Sequence, residues 1–123
     1  MTAPRIESFA DFWPYYVGAH RNPKNRALHY VGTSCALACV AGAALTQNPL
    51  LLLAAPVVGY GPAWIGHFLI EGNKPATFGY ARYSLMADFK MLGLALQGKM
   101  AAEVTRLFGS PAPERDAPML ATR

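Results

Sequence analysis

The chain has 123 residues, enough for one domain; 53% are hydrophobic and only 15% charged, fewer charges than a water-soluble surface usually carries. The net charge of +4 is spread along the sequence, with no stretch that alternates base and aromatic, so a nucleic-acid groove is not expected. Two cysteines, Cys35 and Cys39, stand four apart in an apolar segment and read as small hydrophobes rather than a disulfide framework.

In chain order, Arg5 is followed by Glu7 and Asp11 with no apolar run between them, so no secretory signal is expected there. Ser8 or Asp11 suits the cap of a short helix through Phe9, Phe12, Trp13, Tyr15 and Tyr16, with Pro14 tolerable in its first turn. So dense an aromatic run suits the headgroup level of a bilayer, or the core of a soluble helix pair. Asn22-Pro23 then reads as a helix start, an amide cap followed by a proline at the first helical position.

From Val31 to Ile70 there is no Asp, Glu, Lys or Arg. A hydrocarbon core of roughly 30 Å takes about 20 apolar residues per crossing, so this length is sufficient for two. The polar cluster Thr46-Gln47-Asn48 and Pro49 marks the reversal, giving a hairpin of two membrane helices, Tyr30 to Leu45 and Leu50 to Ile70. Gly59, Gly61 and Pro62 predict a kink in the second. Small residues along the first (Gly32, Ser34, Ala36, Ala38, Gly42) permit close helix packing and self-association into a homo-oligomer. Arg21, Lys24 and Arg26 precede the hairpin, Lys74 and Arg82 follow it, and its turn has no charge, so both termini are expected in the cytosol. Helices rich in alanine and glycine without an organelle signal suit a bacterial inner membrane.

Beyond the turn at Gly72-Asn73-Lys74-Pro75, an apolar stripe runs from Ser84 to Phe108 through Leu85, Phe89, Leu92, Leu96, Met100, Val104 and Leu107. Gly93 and Gly98 weaken its middle and allow two shorter helices. Its charges favour an amphipathic element lying on the membrane or on the hairpin. The expected whole is an all-α integral membrane bundle over residues 1–109, built on the hairpin with flanking interfacial helices. A proline-rich disordered tail is expected over 110–123.

All three histidines, His20, His29 and His67, fall beside the same end of the hairpin. Nine positions on one unbroken helix would put His20 and His29 on opposite faces, and the Asn-Pro break removes that obstacle. His67 and Glu71 are i, i+4, a spacing that lets two side chains reach one ion. Asn25 stands one turn before His29, and Asp88 lies near the apolar stripe; either suits the orientation of an imidazole. Ionisable groups at membrane depth are costly and usually functional, so these residues point to a metal centre, with spacing alone naming neither metal nor reaction. There is no phosphate loop, dinucleotide fingerprint, His-Glu-x-x-His helix or nucleophile elbow.

Four strings taken together, Phe12-Trp13 through His20, Asn25-x3-His29-x2-Gly32, Gly66-His67-x3-Glu71-x-Asn73-x-Pro75-Ala76, and Tyr83-Ser84-Leu85-x2-Asp88-Phe89-x-Met91, resemble a family of small membrane proteins. Its characterised fungal member works in phytosphingosine breakdown to odd-numbered fatty acids. The resemblance spans roughly residues 8 to 108 and implies an iron(II)-dependent dioxygenase that takes a 2-hydroxy fatty acid and O2 to the one-carbon-shorter acid and CO2. It implies His20, His29 and His67 as iron ligands, with Glu71 as a fourth ligand or an acceptor from an imidazole. Asn25, Asn73 and Asp88 are orienting candidates, and Arg21, Lys24, Lys74 and Arg82 are candidates to draw in the substrate carboxylate. Converting R-CHOH-COOH to R-COOH and CO2 releases four electrons, the number one O2 accepts, so no nicotinamide or 2-oxoglutarate site is required. The compact chain leaves chain-length preference open. Two other classes fit the residues: a non-catalytic membrane scaffold or lipid-binding subunit, and a zinc-dependent membrane hydrolase.

Overall fold

A computed structural model describes residues 5–122; residues 1–4 of the expected domain and residue 123 of the expected tail lie outside the described residues. The chain is all-helical, with five α-helices and no strand among the described residues: α1 (Phe9–Gly18), α2 (Pro23–Thr46), α3 (Leu50–Ile65), α4 (Ala81–Leu96) and α5 (Met100–Phe108). A π-helical segment, Gly66–Glu71, continues α3, and a 3₁₀ turn, Ala76–Phe78, leads toward α4.

Local chemistry sets most of these boundaries. Ser8 caps α1 by accepting from the Asp11 N–H. Pro14 falls in the interior of α1 rather than its first turn, where it leaves a carbonyl of the preceding turn without its helical donor; its ring is buried in the core. Asn22 caps α2 through its side chain, with Pro23 at the first helical position. Gln47 closes α2 in the left-handed region at φ 56°, and the Asn48 side chain accepts from Leu50 N–H at the start of α3. Gly98, at φ 70°, breaks the C-terminal stripe into α4 and α5, a conformation that suits glycine.

The hydrophobic core sits between α1, α4 and α5. Phe12, Trp13, Tyr16 and Val17 of α1 bury against Ala87 and Met91 of α4 and Met100, Val104, Leu107 and Phe108 of α5. The aromatic run of α1 thus fills a protein core, with Tyr15 half exposed. Trp13 Nε1 donates to Glu103 at 2.7 Å and fixes α5 to α1.

The hairpin of α2 and α3 is built differently. Only 17% of the apolar window of Pro23–Thr46 and 22% of that of Leu50–Glu71 is buried; Leu45, Leu53, Val57 and Leu69 are more than two-thirds exposed. Both helices are long and apolar enough to cross a membrane. They touch backbone to backbone: a methyl group on Gly32 would lie 2.5 Å from the Gly59 carbonyl oxygen, the close approach that small residues permit.

Residues 110–122, whose composition suggested a disordered tail, lie back along the protein. Arg26 Nη2 donates to the Pro111 carbonyl at 2.6 Å, Arg21 donates to the carbonyls of Glu114 and Ala117, and Leu120 N–H donates to Leu107 O. Arg21 of the α1–α2 connection and Arg26 of α2 therefore supply donors to the backbone carbonyls of this proline-rich segment.

The junction of α3 and the π segment is packed to its limit at Gly66. A methyl group there would sit 1.9 Å from Asn25 Oδ1 and 3.3 Å from Asn25 Cα, whereas one on Gly61 would meet nothing within 4 Å. Gly66→Ala is expected to destabilise the protein by about 1–3 kcal/mol through overpacking, read as a lowered thermal midpoint in detergent. Gly61→Ala should leave that midpoint within the scatter of the wild type.

A candidate metal centre

The α1–α2 break does what the sequence suggested. His20 follows the end of α1, His29 lies on α2, and His67 lies in the π segment, yet the three rings form one cluster. Centroids are 4.4 Å apart for His20 and His29, 4.5 Å for His20 and His67, and 4.9 Å for His29 and His67, with the planes near perpendicular. One nitrogen from each falls within 4.8 Å of the others, and all three residues are buried. This trio could hold one metal ion.

Two of the rings are oriented by a hydrogen bond at Nδ1, and the third faces a carboxylate there. His20 Nδ1 lies 2.5 Å from the Tyr16 carbonyl, one turn back on α1. His67 Nδ1 lies 2.7 Å from Asn73 Oδ1, and His29 Nδ1 faces Asp88 Oδ1 at 3.6 Å. An Nδ1–H donated outward leaves Nε2 with its lone pair. Nε2 of His20 and of His29 are buried and have no hydrogen-bond partner among the described residues. Two buried acceptors with no donor are costly, and a cation removes that cost. Burial pushes the His20 imidazole well below its usual pKa, and the neighbouring His29 and His67 push it further down. The ring is therefore neutral, the form a metal requires. The donor set thus fits a metal that takes imidazole nitrogen.

The supporting shell is also in place. Tyr16 stacks on His20 with centroids 4.0 Å apart, and its hydroxyl donates to Asp88 Oδ1 in a short hydrogen bond. Burial raises the Tyr16 pKa well above its usual value and Asp88 raises it further, so the phenol stays protonated and remains a donor. Asn73, on the turn after Glu71, spends its other end on Ala19 O at 3.1 Å, tying His67 to the residue beside His20. The cavity that the three rings border is about 10 Å³, room for one water or one ion. Ser84 also lines it, buried with its hydroxyl unpartnered.

Other candidates fall elsewhere. Glu71 is buried but lies outside the three-histidine group; its Oε1 accepts from the Asn22 N–H at 2.6 Å and from Asn25 Nδ2 at 3.3 Å. The segment winds as a π-helix, and the Glu71 carboxylate turns toward the start of α2 and hydrogen-bonds to no imidazole. Glu71 holds the amide-rich start of α2, a favourable place for a carboxylate. Asn25 packs on Gly66 and contacts no imidazole by hydrogen bond. Arg21 lies over the Phe108 ring at 4.4 Å and donates to the tail, while Lys24, Lys74 and Arg82 are exposed and none lines the cluster.

Arg26, Tyr16 and Ser84 were not singled out for the site from the sequence. Arg26 is buried and its Nη1 donates to the carbonyls of His20 and Arg21, which fixes the connection carrying His20. Tyr16 carried a signal, standing one helical turn before His20.

A helical protein with a buried three-histidine centre at the open end of an apolar hairpin is the class the structure defines. The family described as 2-hydroxy-palmitic acid dioxygenase Mpo1-like matches residues 6–100, and the chain belongs to that Mpo1-like family. No curated protein and no solved structure gives a significant match.

Metal analysis of protein supplied with iron(II) under anaerobic conditions should give about one ion per chain, lost in His67→Ala. Asn73→Ala should weaken binding by about 10–100-fold, the usual effect of removing an orienting partner. Glu71→Gln, which keeps an acceptor oxygen for Asn22 and Asn25, should retain the ion; loss of metal in that variant would place Glu71 among the ligands.

Proposed function

We propose that this protein is an iron(II)-dependent dioxygenase of membranes that converts 2-hydroxy fatty acids to the one-carbon-shorter acid and CO2. The observation that carries this reading is the orphaned pair of buried Nε2 atoms within a three-imidazole cluster, in a chain of the Mpo1-like family. Three nitrogen ligands would leave coordination positions open, a feature shared with oxygen-activating iron sites. When bound, iron(II) supplies a redox-active centre able to bring a 2-hydroxy carboxylate and dioxygen together. Substrate gives up four electrons and one O2 takes them, yielding R-COOH, CO2 and water without an outside reductant.

The chain's own residues have distinct tasks in this reaction. His20, His29 and His67 are the ligands, with His20 and His67 held by hydrogen bonds at Nδ1. Asp88 faces Nδ1 of His29 and is itself held by the Tyr16 hydroxyl. Its negative charge, with that of the substrate carboxylate, balances a divalent ion. Ser84 offers the cavity a hydroxyl that no protein group occupies. Lys24, Lys74 and Arg82 draw the anionic substrate to this face as exposed cations, and Arg21 and Arg26 are committed to the backbone of the tail and the α1–α2 connection.

The nearly bare apolar faces of α2 and α3 support a multi-pass placement in a membrane. The positive residues at the open end of the hairpin support cytosolic termini, and the bacterial inner membrane is the proposed compartment. Residues 5–109 act as one domain carrying the site.

Oxygen uptake tests the proposal. Wild-type protein loaded with iron(II) and given 2-hydroxyhexadecanoic acid should consume one O2 per CO2 released, with the fifteen-carbon acid as product. His20→Ala, His29→Ala and His67→Ala should each reduce turnover by at least 10²-fold, on the scale that loss of a catalytic electrostatic group costs. Zinc at one per chain with no oxygen uptake would contradict the reading in favour of hydrolysis. Full turnover in the histidine variants would contradict it altogether.

A further inference from the structure

The small cavity at the histidines cannot hold an acyl chain, yet it does not stand alone. Tyr60 and Asp88 line it and also line the end of a second, larger cavity of about 300 Å³ between α2, α3 and α4. That groove is walled by Ala36 and Val40 of α2, Leu52 and Ala55 of α3, and Leu85 and Phe89 of α4. Asp88, at the histidine end, is its one ionisable carboxylate. Val40 and Leu52 in turn border a further apolar hollow that reaches Gln47 and Pro49 at the hairpin turn.

The register of α2 gives the groove its direction. Thr33, Ala36, Val40, Ala44 and Gln47 line one or other hollow and stand 4, 7, 11, 15 and 18 positions after His29. These are the spacings of a single helical face. A ligand whose head lies at His29 can therefore lay its tail along that face without crossing the helix. The rise from His29 to Val40 is about 16 Å, roughly a dozen extended methylenes, and to Gln47 about 27 Å.

We infer that this groove is the acyl-chain subsite, and that Val40 and Leu52 set the length of chain accepted; the inference rests on the proposed function for the chemistry of the head group. The occupant is one unbranched 2-hydroxy acyl chain. Continuity with the histidine cavity through Tyr60 and Asp88 selects an amphiphile with its polar end there. The absence of any other charge along the lining selects a hydrocarbon tail. Chains of eight to ten carbons end short of Val40, while sixteen carbons pass between Val40 and Leu52. The small side chains Ala36, Ala55 and Gly59 leave the depth in which the chain lies.

The test compares wild type, Val40→Trp and Leu52→Trp, both positions about half exposed and open to a larger ring. Val57→Trp, on the outer face of α3 and away from the groove, is the control. Each is assayed by oxygen uptake on 2-hydroxy acids of eight to eighteen carbons, with metal content confirming an intact centre. The groove variants should lose turnover of the sixteen-carbon acid by tenfold or more and keep that of the eight- and ten-carbon acids, and Val57→Trp should match wild type. An unchanged length profile in both variants overturns the subsite and leaves the oxygenase reading standing. If a groove variant instead converts a dimer to a monomer with no change in profile, a second copy of the chain fills the groove, and the inference is wrong.

Photocrosslinking separates the two claims where no acid is turned over. A 2-hydroxyhexadecanoic acid carrying a diazirine near its chain end should label segments 40–47 and 49–52, in competition with unlabelled 2-hydroxy acid and not with phosphatidylcholine. Competed labelling without turnover would overturn the reaction and keep the groove. Labelling that phosphatidylcholine displaces equally well would identify bulk lipid as the occupant and overturn the subsite.

Discussion

The structure depends on the way three imidazoles are held apart from their own solvation. Each is buried, and each has Nδ1 turned to an acceptor: a backbone carbonyl of α1, an amide on the turn after the π segment, and a carboxylate of α4. Those three acceptors come from parts of the chain far apart in sequence, so the cluster exists only when α1, the hairpin and α4 are docked together. A buried unsatisfied nitrogen costs about 1–3 kcal/mol, and two are gathered here with no protein donor. A fold that accepts this cost on its own account gains nothing from it. A fold that binds a cation recovers it.

The rest of the architecture serves that junction. Its small core of α1, α4 and α5 behaves like the interior of a soluble protein, with aromatic rings in contact and a part-buried Trp13–Glu103 hydrogen bond. The hairpin has almost no interior of its own and relies on the Gly32–Gly59 approach to bring α2 and α3 together. The histidines lie where these two kinds of packing meet. One side provides fixed hydrogen-bonding groups, and the other provides the exposed apolar surface of the hairpin. Arg26 and Arg21 complete the closure by binding carbonyls of the connection and of the C-terminal segment.

Local signals in the sequence were enough for the hairpin and for the convergence of His20 and His29. A charge-free stretch with a polar turn has few alternatives, and Asn22-Pro23 ends one helix path and begins another by capping chemistry that involves only neighbours. The division at Gly98 was legible for the same reason. What was hidden depended on geometry with no compositional mark. Nothing in Gly66-His67-Phe68-Leu69-Ile70-Glu71 announces π winding, and the i, i+4 spacing of His67 and Glu71 carries no sign that the carboxylate accepts from the start of α2. Pro14 in the middle of α1 is explained by the core around it and not by helix propensity. The acceptor for His20 is a main-chain carbonyl, which every residue possesses and no motif can single out. Asn73 is an orienting candidate in the sequence, but only the fold shows that the ring its amide meets is that of His67.

In the proposed centre three imidazoles, and no carboxylate of the chain, bind one iron. X-ray absorption of the iron(II)-loaded protein, prepared anaerobically without substrate, reads that shell without intermediate steps. It should show about three imidazole nitrogens, their outer-shell scattering falling by one ring in His29→Ala and unchanged in Glu71→Gln. A shell of oxygens alone, or an iron signal indifferent to all three histidines, would contradict the proposed centre.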